Sequence, residues 1–251
     1  MLLSGKSLAR YSVEATNGSI GRIEDFYFDD NSMVIRYLVV NTNPWIPGEK
    51  KLLSPISVDR IDPVENKISV DLTKEQIQNA PPMETKLPVS RQQEREFYDY
   101  YDYGFYWPAI SDSGWWGGAP FARDLVKLAK NEENKEDTAD ENPNLRSVRE
   151  IIGEFTGYDI VAINEQVGHA DNILIKNESW DIQYVITDTR KLLPGDHVIP
   201  SKAIRNIDWI QEKIEVAMTK DEIQEAPKYD PKKFTSDEEK LDEHYRLLPR
   251  L

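Results

Sequence analysis

One sequence unit occurs twice in this chain of 251 residues, and the repeat constrains the fold more than any other feature. A shift of 147 residues aligns 17–48 with 164–195, and after a one-residue deletion a shift of 146 aligns 61–81 with 207–227. Two copies of one unit predict two similar domains. The identical pairs include Gly21 and Gly168, Tyr37 and Tyr184, Thr42 and Thr189, Thr73 and Thr219, and Pro81 and Pro227.

Each copy shows the period-two alternation that is typical of half-buried strands. An earlier run in each copy changes phase between its apolar positions, which predicts a β-bulge near Asp25 and Asn172. Pro47 with Gly48 in the first copy, like the same dipeptide in the second, supplies turn residues for a hairpin-like connection. The predicted core positions form six pairs, Ile35/Ile182, Tyr37/Tyr184, Val39/Ile186, Ile68/Ile214, Val70/Val216 and Leu72/Met218.

Each copy ends in a short predicted helix. Thr73 with Gln76, and Thr219 with Glu222, form capping boxes in which each side chain satisfies a backbone N–H of the other residue. Short strands with mostly antiparallel connections predict a small barrel, because closure removes exposed strand edges. We therefore expect a mainly β protein with two small β-barrels in tandem, each followed by a short helix.

The segments outside the two copies differ from them in composition. Residues 97–107 and 114–118 are the densest aromatic stretch of the chain, and residues 131–141 are too polar and charged to bury a core. The expected organisation is a first barrel at 1–82, an aromatic-rich connecting segment and acidic linker at 83–142, a second barrel at 143–229 and a charged tail at 230–251.

Charge and residue content exclude several classes of function. The chain has 31 Lys and Arg against 45 Asp and Glu, and its net charge of -14 opposes binding to nucleic acids and anionic lipids. It has no cysteine, which excludes Cys-ligated metals and Cys nucleophiles. Its apolar runs fall far short of the roughly 20 residues of a membrane-spanning helix, and its first residues lack a signal-peptide core. We expect a cytoplasmic protein with no membrane insertion and no nucleic-acid partner.

No motif of catalysis or metal binding emerges from the residues. His169 and His197 lie at predicted strand positions where the first copy has Arg22 and Lys50, so we interpret them as basic surface residues without the close spacing of zinc ligands. Residues 29–31, with two Asp and one Asn, are typical of a turn rather than a calcium loop. We expect no enzyme, no catalytic, metal-binding or cofactor-binding residues, and no cofactor.

Apolar side chains at positions that are ordinarily polar are the candidates for interaction. The predicted outward face of strand 34–40 is apolar apart from Arg36, whereas the matching face at 181–187 is more polar, so Leu38→Glu should be more harmful than Val185→Glu. The aromatic segment and two apolar hairpin tips add to this set, and packing within the chain and contact with a partner both remain open. The candidates are Val34, Leu38, Val40, Trp45, Ile46, Tyr101, Tyr103, Tyr106, Trp107, Trp115, Trp116, Leu192 and Leu193.

Two runs carry a resemblance to a known family. Residues 21–29, GRIEDFYFD, followed by residues 35–42, IRYLVVNT, resemble the PRC-barrel domain, named after the cytoplasmic domain of the photosynthetic reaction centre H subunit. Residues 145–153 through 184–189 are similar to the second half of bacterial proteins with tandem PRC-barrels. Residues 94–101, with Tyr106 and Trp107, resemble the segment after their first barrel. The resemblance implies a six-stranded β-barrel in each half and assembly roles, without a catalytic motif to carry over.

The expected function is a non-catalytic binding or assembly module. Its partner is another protein or a second copy of the chain in a homodimer. The alternative is a small-molecule-binding or proton-transfer accessory role, by analogy with the reaction centre H subunit.

Overall fold

The chain forms two compact units in a computed structural model, which describes residues 1–42, 50–81, 91–103, 145–153, 157–163, 165–189, 195–231 and 238–246. The N-terminal unit comprises Leu8–Ser147 and Glu178–Trp180. The C-terminal unit comprises Met1–Ser7, Val148–Asn177 and Asp181–Leu251. The expectation of a mainly β protein is confirmed, because each unit is built around one multi-stranded sheet.

Strands dominate the element order along the chain. In the described residues of the first half the elements are β1 (Leu2–Ser4), α1 (Gly5–Leu8), β2 (Ser12–Ala15), β3 (Gly18–Asp29), β4 (Val34–Asn41), β5 (Lys50–Leu53), a 3₁₀ turn (Pro55–Ser57), β6 (Val58–Asp62), β7 (Lys67–Val70), α2 (Lys74–Asn79) and α3 (Arg91–Tyr100). They continue with β8 (Leu145–Ser147), α4 (Val148–Ile151), β9 (Asp159–Val161), β10 (Gln166–Lys176), β11 (Ile182–Asp188), β12 (Asp196–Pro200), a 3₁₀ turn (Ser201–Ala203), β13 (Ile204–Asp208), β14 (Lys213–Val216), α5 (Lys220–Glu225) and α6 (Glu238–Arg246). None of the helices described here is long and apolar enough to cross a membrane.

The two sheets have the same strand order. The N-terminal sheet runs β5-β4-β3-β2-β7-β6 with β8 added on β3, and the C-terminal sheet runs β12-β11-β10-β9-β14-β13 with β1 added on β10. The pairs β2–β7 and β9–β14 are parallel, and the other pairs are antiparallel.

The closed barrels that we expected are not found. Within the described residues, the end strands of each sheet do not pair with each other. In the N-terminal unit the chain passes from β5 to β6 through the 3₁₀ turn at Pro55–Ser57, and Pro55 has no N–H to donate to a ladder. The equivalent 3₁₀ turn, Ser201–Ala203, follows Pro200 in the C-terminal unit.

Each sheet takes its seventh strand from the other half of the sequence. Strand β1 pairs with β10, with Leu2 opposite Lys176, and β8 pairs with β3, with Leu145 opposite Asp29. The predicted domains are continuous stretches of sequence. In the structure, residues 1–7 belong to the C-terminal unit and residues 145–147 belong to the N-terminal unit. Neither half of the sequence therefore supplies all seven strands of its own sheet.

The predicted bulges at Asp25 and Asn172 are confirmed by the register of β3 and β10. The pairing shifts between Ile23 and Asp25 in one sheet and between Ala170 and Asn172 in the other. Each bulge residue turns its side chain back to the next backbone N–H, at 2.7 Å for Asp25 and 2.9 Å for Asn172. These contacts fix the direction of both side chains at the point where the exchanged strand arrives.

The bulge side chains also bind the exchanged segments. The amide of Asn172 donates to Ser4 Oγ at 2.9 Å, and its Oδ1 accepts from the backbone N–H of Lys6 at 3.1 Å. In the other sheet, Ser147 Oγ donates to Asp25 Oδ2 at 2.5 Å. Since Asn172 and Ser4 are buried, these hydrogen bonds satisfy polar groups that would otherwise destabilise the sheet.

A second bulge in each sheet reverses the expected faces of β4 and β11. In β4 the pairing with β3 shifts between Tyr37 and Ile35, so the alternation of faces changes there. Leu38 lies opposite the core residue Phe26 and is fully buried. Val40 lies opposite Ile23 in the same way. Leu38 and Val40 are therefore core residues, and the prediction that they face outward is wrong.

The matching face of the C-terminal unit is buried as well. Val185 lies opposite Ile173 and is 1% exposed, and Thr187 is 0% exposed. The predicted contrast between Leu38 and Val185 is therefore wrong, because a glutamate at either position would enter a core. Val34 is also buried, on the face of β4 that bears Tyr37.

The other local predictions are confirmed. All six predicted core pairs are buried. Both capping boxes are present, with Gln76 N–H bound to Thr73 Oγ1 and Glu222 N–H bound to Thr219 Oγ1 at 3.2 Å each. Residues 30–33 form the expected turn, in which Asp29 Oδ1 accepts two backbone hydrogen bonds.

The first prediction concerns the hydrogen bonds that hold β1. Replacing Asn172 by Ala removes one hydrogen bond to Ser4 Oγ, which still accepts from the Ser7 N–H, and removes the acceptor of the Lys6 N–H; the loss of each such bond costs about 1–3 kcal/mol. We expect Asn172→Ala to lower the free energy of unfolding in urea by about 2–4 kcal/mol. Asn206→Ala, at an exposed strand position of the same unit, is the control, and an equally small effect of both would contradict the assigned role of the bulge.

Candidate interaction site

The N-terminal unit holds α3 against strand β4 through Tyr37. The Tyr37 hydroxyl donates to Glu94 Oε1 at 2.8 Å, and Glu94 is fully buried. One helical turn later, the ring of Phe97 meets Tyr37 edge to face with centroids 5.4 Å apart. A strand tyrosine therefore contacts both a carboxylate and an aromatic ring on the same face of the helix.

Further aromatic rings extend this contact beyond the helix. Tyr98 is buried, and its ring centroid lies 6.4 Å from that of Tyr37. Burial raises the pKa of Tyr98, so its hydroxyl stays protonated. The rings of Tyr101 and Tyr103 stack with centroids 5.3 Å apart, and the Tyr103 N–H donates to Tyr98 O at 2.9 Å. At these positions the aromatic segment packs inside its own unit.

The C-terminal unit holds α6 in the equivalent way. The Tyr184 hydroxyl donates to Asp242 Oδ1 at 2.7 Å, and the rings of Tyr184 and Tyr245 lie 6.0 Å apart. The Tyr245 hydroxyl donates to the carbonyl oxygen of Val198 on β12. Leu241, Tyr184 and Tyr245 are all buried, so α6 covers the strand face on which Tyr184 lies.

The two helix contacts use the same arrangement of residue types. A carboxylate accepts from the strand tyrosine, and an aromatic ring follows three residues later, at Glu94 and Phe97 and at Asp242 and Tyr245. Sequence analysis placed these residues in a charged tail and did not predict that a helix there packs against the strand. A shift of 148 residues would have indicated this packing, because it aligns Glu94 with Asp242 and Phe97 with Tyr245.

Two hairpin turns present exposed aliphatic side chains at equivalent positions. Val64 is 90% exposed between β6 and β7, and Ile210 is 94% exposed between β13 and β14. Large aliphatic side chains with that exposure are uncommon at turns, where polar residues are the rule. These positions were not among the candidates from sequence.

Both turns are held by an aspartate. Asp62 Oδ1 accepts from the N–H of Val64 and the N–H of Glu65 at 3.0 Å each, and hydrogen bonding by the Glu65 N–H lowers the pKa of Asp62. Asp208 Oδ1 accepts from Ile210 N–H at 3.0 Å and from the next N–H at 2.8 Å. Each aspartate therefore holds the backbone of the turn that carries the aliphatic residue.

The candidates from sequence divide into three groups. Val34, Leu38 and Val40 are buried in the N-terminal unit. Tyr101 and Tyr103 pack against neighbouring aromatic rings in the same unit. The remaining candidates lie outside the described residues, namely Trp45, Ile46, Tyr106, Trp107, Trp115, Trp116, Leu192 and Leu193.

His197 is a buried residue, so our interpretation of it as a surface residue is wrong. It is 1% exposed, and its Nδ1 lies 3.3 Å from Ala226 O just after helix α5. The strand register places it opposite Thr187, as Lys51 lies opposite Val40, and Lys51 Nζ likewise donates to a carbonyl after α2, that of Ala80, at 3.4 Å. Both side chains thus satisfy carbonyl groups at a helix C-terminus.

His169 lies at the other predicted histidine position, 3.7 Å from a carboxylate oxygen of Asp188. In the part of the chain that the structure describes, no group of three or more His, Cys, Asp and Glu side chains is placed to hold a metal ion.

The second prediction is a pH dependence of stability from His197. Burial lowers the pKa of His197 below its ordinary value of about 6.5, so the unfolded chain binds the proton more readily than the folded chain. The stability from neutral His197 is complete above about pH 6.5 and is lost as the pH falls towards the lower folded pKa.

This dependence is measured by urea unfolding of the wild type and His197→Gln between pH 7.5 and pH 5. Glutamine keeps a donor for Ala226 O but does not titrate. We expect the wild type to lose more stability than the variant over this range, and parallel losses would contradict the prediction.

Comparison with protein-family models finds the PRC-barrel domain at residues 4–77. A search among curated proteins finds no match to the chain. The matched range contains β2 to β7, the strands of the N-terminal sheet apart from β8. Residues 4–77 are thus a PRC-barrel domain.

Proposed function

We propose that the chain is a non-catalytic protein-binding module made of two PRC-barrel domains, the second lying within residues 143–229. The shared strand order, bulges, capping boxes and terminal helices support a second copy of the domain. Its glycines support it too, because a Cβ on Gly21 would lie 2.1 Å from Asn41 O and one on Gly168 would lie 2.2 Å from Asp188 O. The resemblance to the reaction centre H subunit favours an assembly role.

The observation that carries this proposal is the pair of exposed aliphatic side chains at Val64 and Ile210. An aspartate already orders the backbone of each turn in the free protein. Binding at these turns therefore costs less conformational entropy than binding at a mobile loop. Burying such a side chain against a partner contributes about 1.5–3 kcal/mol. The partner is another protein or a second copy of the chain.

The proposed setting is the cytoplasm, in keeping with a sequence that has no cysteine. The net charge of -14 supports protein partners over nucleic acids, because phosphate binding needs a basic surface.

The third prediction tests the turns directly. Val64→Ser with Ile210→Ser removes both aliphatic contacts, and we expect the affinity for a partner to fall at least tenfold while the melting temperature stays within about 2 °C. Tagged wild type and variant are used to capture proteins from the source cells for quantitative mass spectrometry, and light scattering measures self-association.

The control replaces exposed neighbours on the same turns, Glu65→Ser with Gln211→Ser, and keeps the aliphatic residues. Partners or dimers lost only with the first pair of substitutions support the proposal. Equal capture and equal association by all three proteins would refute it.

A further inference from the structure

Each unit binds one helix, α3 or α6, through the same pair of residue types, although the two helices otherwise differ in sequence. The pair is Glu94 with Phe97 in α3 and Asp242 with Tyr245 in α6. Equivalent strand faces of the two units thus bind different helices through one shared pair of residue types.

Helix α6 depends on its contacts with the sheet. It has nine residues, fewer than the 12–15 or so that an isolated helix needs to be stable in water, so its helical form depends on docking. Its polar contacts include those of Asp242 with Tyr184 and of Tyr245 with Val198 O, and Leu241 adds buried apolar area. A short helix of this kind opens at a lower free energy than the sheet beneath it.

Opening of α6 uncovers a groove with matched polar groups. Tyr184 offers a hydroxyl donor, Val198 offers a carbonyl acceptor, and the Tyr245 ring is buried 6.0 Å from the Tyr184 ring. The donor fits a carboxylate, and the site of the Tyr245 ring fits an aromatic ring one helical turn further on. Helix-in-groove binding of this kind is a common mode of peptide recognition.

We infer that the Tyr184 groove is a docking site for a helical segment of a partner protein that carries Asp or Glu three residues before Phe or Tyr, and that α6 is its internal competitor. This inference rests on the proposed function, since it names the chemistry of one partner. It does not depend on Val64 and Ile210. A negative result with the turn variants therefore leaves the groove untested, and a negative result with Tyr184→Phe leaves the turns untested.

The test uses a fluorescein-labelled peptide of residues 91–103, which carries the Glu94 and Phe97 pair. The full-length chain with Asp242→Ala and Tyr245→Ala, here called the released chain, frees the groove from α6. Fluorescence anisotropy should show the peptide binding to the released chain at least tenfold more tightly than to the wild type, because the tethered helix competes at high effective concentration.

Two substitutions separate groove binding from other binding. Tyr184→Phe in the released chain keeps the ring and removes the donor, and it should weaken peptide binding by about tenfold or more. Asn206→Ala in the released chain is the control, because its side chain is exposed on β13 of the same unit, and it should leave the affinity unchanged. A peptide with Glu94→Ala and Phe97→Ala should not bind.

Hydrogen exchange on the wild type gives a second readout that does not rely on the released chain folding normally. Excess peptide should increase exchange at the amides of α6, since the peptide displaces it. Equal peptide affinity for wild type and released chain, or no effect of Tyr184→Phe, would overturn the inference. A concentration-dependent dimer that Tyr184→Phe dissociates, without peptide binding, would also overturn it, because the occupant would then be a second copy.

Discussion

The exchanged strands are the constraint on which the rest of the structure depends. Strand β1 completes the sheet that contains β10, and β8 completes the sheet that contains β3, so each sheet is complete only when both halves of the sequence are present. A buried serine on each incoming strand binds the bulge residue of the receiving strand, at Ser4 with Asn172 and at Ser147 with Asp25. The family match at residues 4–77 therefore covers a domain whose seventh strand lies outside the matched range.

The bulges also determine which side chains are available to the helices. Because the register of β4 shifts between Ile35 and Tyr37, Leu38 turns into the core and Tyr37 turns to the face that α3 covers. The same shift in β11 places Tyr184 under α6. A local irregularity of the strand thus creates a helix-binding face in each unit.

Sequence analysis predicted the features that depend on neighbouring residues. The capping box of Thr73 with Gln76 and the bulge at Asp25 depend on chemistry within a few positions, so their residue patterns identify them. The bulge beside Tyr37 leaves no comparable signal, because the apolar residues of β4 fill both faces of the strand. Without that signal, Leu38 and Val40 were incorrectly assigned to the outward face of β4.

The features that sequence analysis missed depend on distant partners. Pairing of β1 with residues more than 160 positions away follows from tertiary packing, which a three-residue strand cannot specify by its own pattern. The docking of α6 was not predicted because its polar composition is typical of a tail, and Leu241 and Tyr245 are its two apolar residues. The shift of 146 residues aligns Val64 with Ile210, but the exposure of both side chains becomes apparent only from the folded turns.

The exchange of strands can be tested by disulfide formation, since the natural chain has no cysteine. Leu2→Cys with Lys176→Cys joins directly opposite residues of β1 and β10, and Leu2→Cys with Asp29→Cys joins β1 to the equivalent position of its own half. Opposite residues of antiparallel strands lie within the Cα distance that a disulfide requires. The account predicts that mild oxidation forms an intrachain disulfide in the monomeric first variant and none in the second, and a disulfide in the second variant alone would contradict it.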